Sequence, residues 1–306
     1  MQEPQGWMNG AVCTFSQMHV PAWDLGVVAG ASITEMARTF QHRPFRLPQH
    51  LHRLLSSCAE IGFETPYSAG DMLAAAEALV AGNVSLIDAN ADLGIVMFVT
   101  AGANRTYLGD GDLPGPTVGI HTFPLPFSVW KTAIRDGVRL QIPQRHQIQT
   151  DCLPVHLKTR NRLHWWLADR EAHAIESGSR ALLTDSDGYL TETSTACFYA
   201  VIDNEIITPE RNVLHSLSRN MVQAAADAAG LAFRTGDLHI DDIPRMQQAF
   251  VSSTPVGVLP VKSIGGVQFD VQLEADAKES VLPAIRDYWK QQTGIDPAQQ
   301  ILAQCR

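Results

Sequence analysis

Lysine is scarce in this sequence, and one lysine has surroundings that suit a reactive amine. Only five of the 23 basic side chains are lysines, at positions 131, 158, 262, 278 and 290. Lys158 follows the apolar run 153–157, which predicts a buried strand, and directly precedes a predicted helix. Burial and the charges of Arg160 and Arg162 would favour a neutral, nucleophilic amine. The alternative is a lysine at a strand end with its tip in water.

Positive charge is local in an otherwise acidic chain. The sequence carries 32 acidic and 23 basic side chains, a net charge of −9, and its pI is about 5.6. General nucleic-acid binding needs a basic surface that neutralises phosphates, so this balance argues against it. A small anionic ligand fits better with the local arginines, which are Arg53, Arg160, Arg162 and Arg219.

Composition excludes several other classes of protein. The chain is 45% hydrophobic and 18% charged, unlike a disordered protein, and it has no apolar run long enough to span a membrane. Its first residues have no basic region followed by an apolar run, so nothing indicates a signal peptide. The five cysteines form no CxxC pair and no histidines have ligand spacing, so no disulfide framework or metal site is expected. We predict a soluble, cytoplasmic protein.

The first part of the chain mixes strands and helices. Periodicity and composition predict helices over 48–58 and 71–81 and strands over 95–100 and 117–123. Residues 102–116 form a loop rich in glycine and proline, and a loop this long is usually functional or disordered. The proline-rich stretch after 123 predicts a crossing between a smaller domain, residues 1–125, and a larger one, residues 126–306.

The second part alternates strand and helix more regularly. The predicted helices cover 161–177 and 216–229, and the predicted strands cover 180–184, 196–202 and 249–253. The whole chain is therefore predicted to have an α/β (α+β) fold.

Several short segments occur together in the order typical of one enzyme family. They are MNG (8–10), DLG (24–26), FRLPQHLHRL (45–54), KTRNRL (158–163), DGYLTE (187–192), VLHSLSR (213–219), SST (252–254) and LPV (259–261). No single segment is specific, but the set covers nearly the whole chain. It resembles the fold-type IV (class IV) pyridoxal-phosphate-dependent aminotransferases, whose relatives include branched-chain and D-amino-acid aminotransferases and aminodeoxychorismate lyase.

The resemblance implies a two-domain homodimer with pyridoxal 5'-phosphate (PLP) between the domains. Lys158 would form the aldimine with the cofactor and afterwards move the α-proton. Glu192 would hold the proton on the pyridine nitrogen. Arg53 would bind the phosphate, together with Leu217 and Ser218 at a helix N-terminus and the Thr254 hydroxyl.

The sequence also departs from the family pattern, and the departures bear on substrate binding. The usual tyrosine-glycine-aspartate-glycine is AGAS here (29–32), Cys197 replaces a frequent asparagine, and Pro255 lacks a backbone N–H donor. We therefore expect the substrate carboxylate to be bound elsewhere. Arg105 and Tyr107 in the long loop are the candidates, with Arg38 as a further one; a solvated Arg105 is the alternative.

We predict an aminotransferase that moves an amino group between an amino acid and a 2-oxo acid. An aminodeoxychorismate lyase-like carbon–carbon lyase that releases pyruvate is one alternative, favoured by the sequence NRL (161–163). A homologue that binds PLP without turning a substrate over is another. Retention of both Lys158 and Glu192 argues against that last alternative.

Overall fold

The computed structural model of the protein describes residues 3–271 and 280–304. The chain divides into two compact units, which we call unit 1 and unit 2. Unit 1 comprises Met1–Leu125 and Leu157–Asn161, and unit 2 comprises Pro126–His156 and Arg162–Arg306. The segment that carries Lys158 therefore belongs to unit 1, although it lies beyond the predicted domain boundary at residue 125. No helix in the described part of the chain is long and apolar enough to cross a membrane.

Unit 1 is built on a six-stranded sheet with the strand order β2-β1-β6-β5-β3-β4. Its strands are β1 (Gln5–Met8), β2 (Ala11–Thr14), β3 (Ser32–Phe40), β4 (Arg43–Phe45), β5 (Leu93–Thr100) and β6 (Val118–Pro124). Its helices are α1 (Leu25–Val28), α2 (Leu47–Glu60), α3 (Ala69–Asn83) and α4 (Arg105–Leu108). All strand pairs in this sheet are antiparallel. The two predicted helices and two predicted strands of this part are confirmed.

The core of unit 1 lies between the sheet and the helices α2 and α3. Leu47, Leu51 and Leu54 recur at helical spacing and are at most 2% exposed, so α2 buries one continuous stripe. Pro48 lies in the first turn of α2, where a backbone N–H would have no partner within the helix. The N–H that proline lacks therefore costs the helix no hydrogen bond. From α3, Met72 and Ala76 pack into the same core. This packing fixes α2 against β3, and both elements carry residues of the candidate site.

Unit 2 is built on a nine-stranded mixed sheet with the path β12-β11-β10-β13-β14-β7-β8-β9, and β15 pairs with β14. Its strands are β7 (Val138–Gln141), β8 (Arg180–Thr184), β9 (Leu190–Thr193), β10 (Cys197–Ile202), β11 (Glu205–Thr208), β12 (Ala232–Thr235), β13 (Gln248–Ser253), β14 (Gly257–Ile264) and β15 (Val267–Gln268). Its helices are α5 (Phe127–Asp136), α6 (Leu163–Ile175), α7 (Leu217–Ala229), α8 (Leu282–Thr293) and α9 (Pro297–Gln304).

Most predicted elements of this unit are confirmed, and one is wrong. The predicted helices and strands match α6, α7, β8, β10 and β13. The predicted buried strand over 153–157 does not form: these residues are turns and irregular chain, and helix α6 begins only at Leu163. Leu153 and Val155 are only partly buried. An apolar run this short does not specify a strand when no neighbouring strand offers it a complete ladder of hydrogen bonds.

Candidate active site

Lys158 is held by its backbone against the edge of strand β3. The Lys158 carbonyl accepts a hydrogen bond from the Thr34 N–H at 2.8 Å, and the Arg160 N–H donates to the Ser32 carbonyl at 3.0 Å. The segment therefore pairs antiparallel with β3 around an isolated bridge between Ile33 and Thr159. Strand β4 pairs with the other end of the same edge, at Arg38–Phe40. The lysine thus lies in a short strand pairing at a sheet edge, not at the end of the predicted buried strand.

Arg53 lies on helix α2 and forms a double ion pair with a buried acid on β3. Its Nε donates to Glu35 Oε1 at 2.5 Å and its Nη2 donates to Glu35 Oε2 at 2.9 Å. His50, one helical turn earlier, contacts Glu35 Oε2 through Nδ1 at 2.7 Å. Glu35 is 1% exposed, whereas the Arg53 side chain retains 17% exposure. Glu35 therefore orients a guanidinium that still reaches the surface of unit 1.

The protonation states of this cluster follow from its burial. Desolvation raises the pKa of Glu35, but the His50 hydrogen bond and the Arg53 charge outweigh it and lower that pKa to about 2. Burial lowers the pKa of His50, and the charges of Arg53 and Lys158 lower it further. The hydrogen bond and charge of Glu35 raise this pKa but do not outweigh the lowering effects. Glu35 is then ionised and only accepts, so His50 is neutral with its proton on Nδ1. Among these residues the Arg53 guanidinium and the Lys158 amine accompany a single carboxylate, an arrangement that suits an anion.

Arg38 does not have the position that its predicted role requires. Its side chain is 0% exposed, its Nη2 lies 3.3 Å from Asp92 Oδ2, and its guanidinium lies 3.8 Å from the centre of the Phe40 ring. Asp92 also accepts from the Thr39 hydroxyl at 2.6 Å. This buried ion pair ties β3 to the start of β5. The expectation that Arg38 anchors a substrate is therefore corrected: Arg38 is a structural residue.

Arg105 and Tyr107 lie on the short helix α4, inside the loop that the sequence predicted. Both side chains are exposed, Tyr107 at 62%. Asn104 caps this helix by accepting from the Thr106 N–H at 2.9 Å. The loop therefore contains an ordered turn of helix, and the structure leaves Arg105 and Tyr107 accessible to a ligand.

In unit 2, Glu192 is a buried carboxylate with cations around it. It lies in β9, is 9% exposed, and accepts from the Leu214 N–H at 3.0 Å through Oε1. Glu192 and Arg219 line the same narrow pocket. Burial lowers the pKa of Arg162, which the charges of Glu192 and Asp169 partly counteract. Glu192 therefore lies among positively charged groups.

The N-terminus of helix α7 carries a network of hydroxyl groups. Ser216 caps the helix by accepting from the Arg219 N–H at 3.0 Å, and its Oγ also lies 3.0 Å from Ser218 Oγ and 2.9 Å from Cys197 Sγ. Ser218 is 3% exposed and donates to the Ser252 carbonyl at 3.3 Å. Ser252 in turn lies 2.9 Å from Tyr199 Oη. The network joins β10, β13 and the start of α7.

Of the residues predicted for the site in unit 2, this network contains Ser218, and Thr254 lies close to it along the chain. Ser252 is in β13, and the turn that follows this strand contains Thr254 and Pro255, closed by the Val256 N–H and the Ser253 carbonyl at 3.3 Å. The described residues provide no acceptor for the backbone N–H groups of Leu217 and Ser218, which belong to the first turn of α7. The predicted site residues thus form two groups: Lys158 and Arg53 in unit 1, and Glu192, Leu217, Ser218 and Thr254 in unit 2.

Comparison with known proteins assigns the family. Residues 32–264 match the family described as amino-transferase class IV. This chain belongs to the class IV aminotransferases. It is 24% identical over 263 residues to a probable branched-chain-amino-acid aminotransferase of Rickettsia felis, covering 84% of this chain and 86% of that protein. It is 27% identical over 270 residues to D-alanine aminotransferase of Listeria monocytogenes, covering 85% and 86%.

The solved structures agree with this assignment. The branched-chain amino acid aminotransferase from Escherichia coli superimposes with a TM-score of 0.79 at 19% identity, covering 96% of this chain and 95% of that one. A second such enzyme, solved with pyridoxamine 5'-phosphate, gives a TM-score of 0.80 at 22% identity. The predicted family and the mixed α/β fold of fold-type IV aminotransferases are confirmed. So are PLP as the cofactor and a PLP-dependent transaminase as the class of enzyme.

Several residues of unit 2 fit the chemical groups of PLP. The unpaired N–H groups at the start of α7 and the hydroxyls beside them are donors suited to a phosphate, as a helix N-terminus generally is. The buried Glu192 carboxylate suits a protonated pyridine nitrogen. Arg219 adds an observation that points to a polar ligand: its Nη1 is buried and has no hydrogen-bond partner among the described residues. The donor set therefore matches the cofactor.

Sequence reasoning missed the residues that hold the predicted ones. Glu35 is the acid that binds both Arg53 and His50, and its signal was the single carboxylate of strand β3. His50 and Arg53 are three residues apart on α2 and so share a face, which indicated a common partner. Ser216 and Ser252 had no distinguishing pattern, because serine at a helix start or strand end is common.

Proposed function

We propose that Lys158 is the reacting lysine of a transaminase that moves an amino group between an amino acid and a 2-oxo acid. One observation carries this proposal: Lys158 is the sole lysine in the sequence of unit 1, and its backbone pairs with Thr34, the neighbour of the acid that orients Arg53. A residue held so firmly at the backbone has its amine placed by the sheet rather than by a mobile loop.

The residues around the amine have separate tasks in this proposal. PLP, when bound, supplies a conjugated ring that takes up the electrons of the bond broken at the substrate α-carbon. The Lys158 Nζ would accept the proton from the substrate α-carbon and hold it for the later protonation step. The Glu192 carboxylate holds a proton at the ring nitrogen, and the Leu214 N–H keeps that carboxylate in place.

Unit 1 and unit 2 each carry groups suited to bind a phosphate. Arg53, with its orientation set by Glu35, supplies positive charge. The N–H groups of Leu217 and Ser218 and the hydroxyl of Thr254 supply neutral donors, and the dipole of α7 favours the anion at this end. These groups hold the cofactor and do not take part in proton transfer.

Branched-chain amino acids and their 2-oxo acids are the proposed substrates, with the carboxylate bound by Arg105 and Tyr107. Support comes from the exposed position of both side chains on α4 and from the names of the relatives. An arginine binds a carboxylate through two parallel hydrogen bonds, which suits this task. D-Alanine is the alternative substrate, because similar proteins also carry that name.

We further propose a homodimer that works in the cytoplasm and contacts neither nucleic acid nor membrane. The family resemblance supports the dimer, and the net charge of −9 supports the absence of nucleic acid. Light scattering during gel filtration tests the dimer: a mass near twice 33.5 kDa is expected, and a monomer at working concentration would contradict it.

The test of the reacting lysine is the absorption spectrum of the purified protein with PLP, before and after L-glutamate. Wild-type protein should show a yellow band that collapses on adding the donor. Lys158→Ala should lose the band and at least about a thousandfold of the turnover, because it removes both the covalent link and the proton carrier. Lys290→Ala, which alters an exposed lysine of α8, is the matched control and should behave as wild type.

The other outcomes separate the alternatives. A Lys158→Ala variant with full activity would refute the assignment of the lysine. A yellow band that moves with D-alanine but not with L-glutamate or L-leucine would give the alternative substrate. Pyruvate released from aminodeoxychorismate would instead establish the lyase. Borohydride reduction of the yellow protein, followed by peptide mass mapping, should place the cofactor on Lys158.

A further inference from the structure

Asp24, in the DLG segment, is a buried acid for which the proposed reaction has no use. Its side chain is 0% exposed and accepts three hydrogen bonds. Oδ1 accepts from the Gly26 N–H at 2.7 Å, and Oδ2 accepts from the hydroxyls of Thr100 at 2.8 Å and Thr117 at 2.6 Å. These donors compensate the carboxylate for the loss of water.

The two threonines stand at the two ends of the loop that carries Arg105. Thr100 is the last residue of β5, and Thr117 immediately precedes β6. Between them the two ends of the loop touch, because a Cβ on Gly102 would lie 2.9 Å from the backbone of Gly115. Asp24 therefore closes the loop at its base.

The same segment also fixes the direction in which the loop leaves the sheet. The Leu25 N–H donates to the Gly102 carbonyl at 2.8 Å, and the Asn104 N–H donates to the Trp23 carbonyl at 3.1 Å. These bonds pair the residues on either side of Asp24 with the first residues of the loop, around a bridge from Asp24 to Ala103. Helix α4 begins at Arg105, two residues after Ala103, so this pairing sets the position of Arg105.

The chemistry of Thr100 requires a carboxylate at position 24. Its Oγ accepts from the N–H groups of Gly102 at 3.2 Å and Thr117 at 2.9 Å, which uses both lone pairs. The Thr100 hydroxyl must therefore donate its proton to position 24, as must the Gly26 N–H. An asparagine would turn an NH₂ group toward at least one of these donors and leave it without an acceptor.

We propose that Asp24 is a positioning residue for substrate binding: it holds the loop so that Arg105 can meet the substrate carboxylate. The inference rests on the proposed role of Arg105 in the transaminase. Asp24 touches neither substrate nor cofactor in this scheme. Its loss should weaken the binding of every substrate that carries the α-carboxylate while leaving the chemistry at Lys158 intact.

The test is a double-mutant cycle on the PLP-loaded enzyme with Asp24→Asn and Arg105→Ala. Arg105→Ala should raise the KM for amino acid and 2-oxo acid by at least about tenfold, as expected for the loss of a charge-assisted hydrogen bond. Asp24→Asn should raise both KM values by about tenfold with kcat within about threefold. The double variant should show no larger KM than Arg105→Ala, because Asp24 acts only through the loop.

Hydrogen exchange of the loop amides gives a readout that does not depend on turnover. Residues 103–109 should exchange at least about tenfold faster in Asp24→Asn, whereas exchange in the β3 amides should be unchanged. Asp71→Asn is the matched control: Asp71 also accepts from neighbouring donors, at the start of α3, but it lies outside the loop. It should leave both KM and the exchange of the loop amides unchanged.

The outcomes distinguish this inference from the proposed function. If Arg105→Ala leaves KM unchanged, the anchoring role of the loop is wrong and the inference falls with it. If Arg105→Ala raises KM but Asp24→Asn does not, or if the two effects add, the inference alone is overturned. Should Asp24→Asn fail to fold, Thr117→Val removes one of the hydroxyl donors and should give a smaller KM rise, which Thr117→Ser should reverse.

Discussion

The residues assigned to the site are held in different ways in the two units. In unit 1 the important contacts involve the ionised Glu35, which binds the Arg53 cation twice and the neutral His50 once, and all of these contacts link a strand to a helix. In unit 2 the contacts around Ser218 are between neutral hydroxyl, thiol and backbone groups. Removing one partner of a buried ion pair leaves an uncompensated charge. Loss of such a contact in unit 1 should therefore lower the free energy of unfolding more than loss of a neutral contact in unit 2.

This difference matches the chemistry proposed for each unit. A guanidinium that binds a phosphate must keep its orientation without ligand, and an ionised partner with fixed geometry does this. Donors at a helix N-terminus need only a helix that begins at the right residue, for which neutral caps suffice. The contacts that hold the site residues therefore contribute more to stability in unit 1 than in unit 2.

Glu35→Gln should show the largest effect. The amide cannot neutralise the largely buried guanidinium of Arg53, so the free energy of unfolding should fall by about 3 kcal/mol. Urea unfolding followed by circular dichroism measures this. Glu77→Gln, on the exposed side of α3, is the control and should change stability by less than about 0.5 kcal/mol. A Glu35→Gln effect no larger than the control would remove the basis of the comparison.

Ser252→Ala should show a smaller effect in unit 2. The substitution takes a hydrogen-bond partner from Ser218 and from the buried Tyr199 hydroxyl, and a neutral group left unsatisfied costs about 1–2 kcal/mol. The same urea measurement applies, with the exposed Ser186→Ala as the control. A loss equal to that of Glu35→Gln would show that the neutral network is as demanding as the ionic one.

His164→Asn should show the smallest effect, and only in acid. Burial and then the Arg162 charge lower the pKa of His164 from 6.5 to about 4, so the folded protein resists protonation that the unfolded chain accepts. Stability that is present above pH 6.5 is therefore lost as the pH falls toward 4. Over this pH interval the free energy of unfolding should fall by about 1 kcal/mol less in the variant than in wild type. This figure allows for the partial solvent exposure of His164.

The control for this acid effect is His52→Asn, which alters an exposed histidine of α2. Unfolding free energies at about pH 7 and about pH 4 should differ by the same amount in His52→Asn and wild type. His50 and Glu35 in unit 1 also destabilise the protein in acid, because both have lowered pKa values. An unchanged pH dependence in His164→Asn would assign the whole acid effect to other groups.

Local patterns predicted the elements of this fold well. The stripe of leucines in α2 and the β-branched run in β5 each determine their element from neighbours along the chain. The same logic failed for 153–157, because an apolar run becomes a strand only if a partner strand is available to it. Helix α6 begins later than predicted for a related reason: the preceding residues belong to unit 1, where the segment 158–160 pairs with β3.

The chemistry was recognised by residue types, but the partners of those residues were not. Lys158, Glu192 and Arg53 stood out because their order along the chain resembles one family, and the family match confirms that family. Arg38 was placed among the substrate residues because arginine suits a carboxylate, yet Asp92 binds it from 54 residues further along the chain. Which acid meets which arginine depends on strand register, and register is a property of the assembled sheet.

The sequence alone thus determined the family, the cofactor, and four of the nine α-helices and five of the fifteen strands in the described residues, because these follow from residue order and from short-range periodicity. Only the tertiary structure showed that Glu35 holds Arg53, that Asp24 closes the loop of Arg105, and that Lys158 belongs to unit 1. Each of these depends on contacts between residues far apart in the chain. Such contacts form only when burial makes an unpaired charge or donor too costly to leave alone.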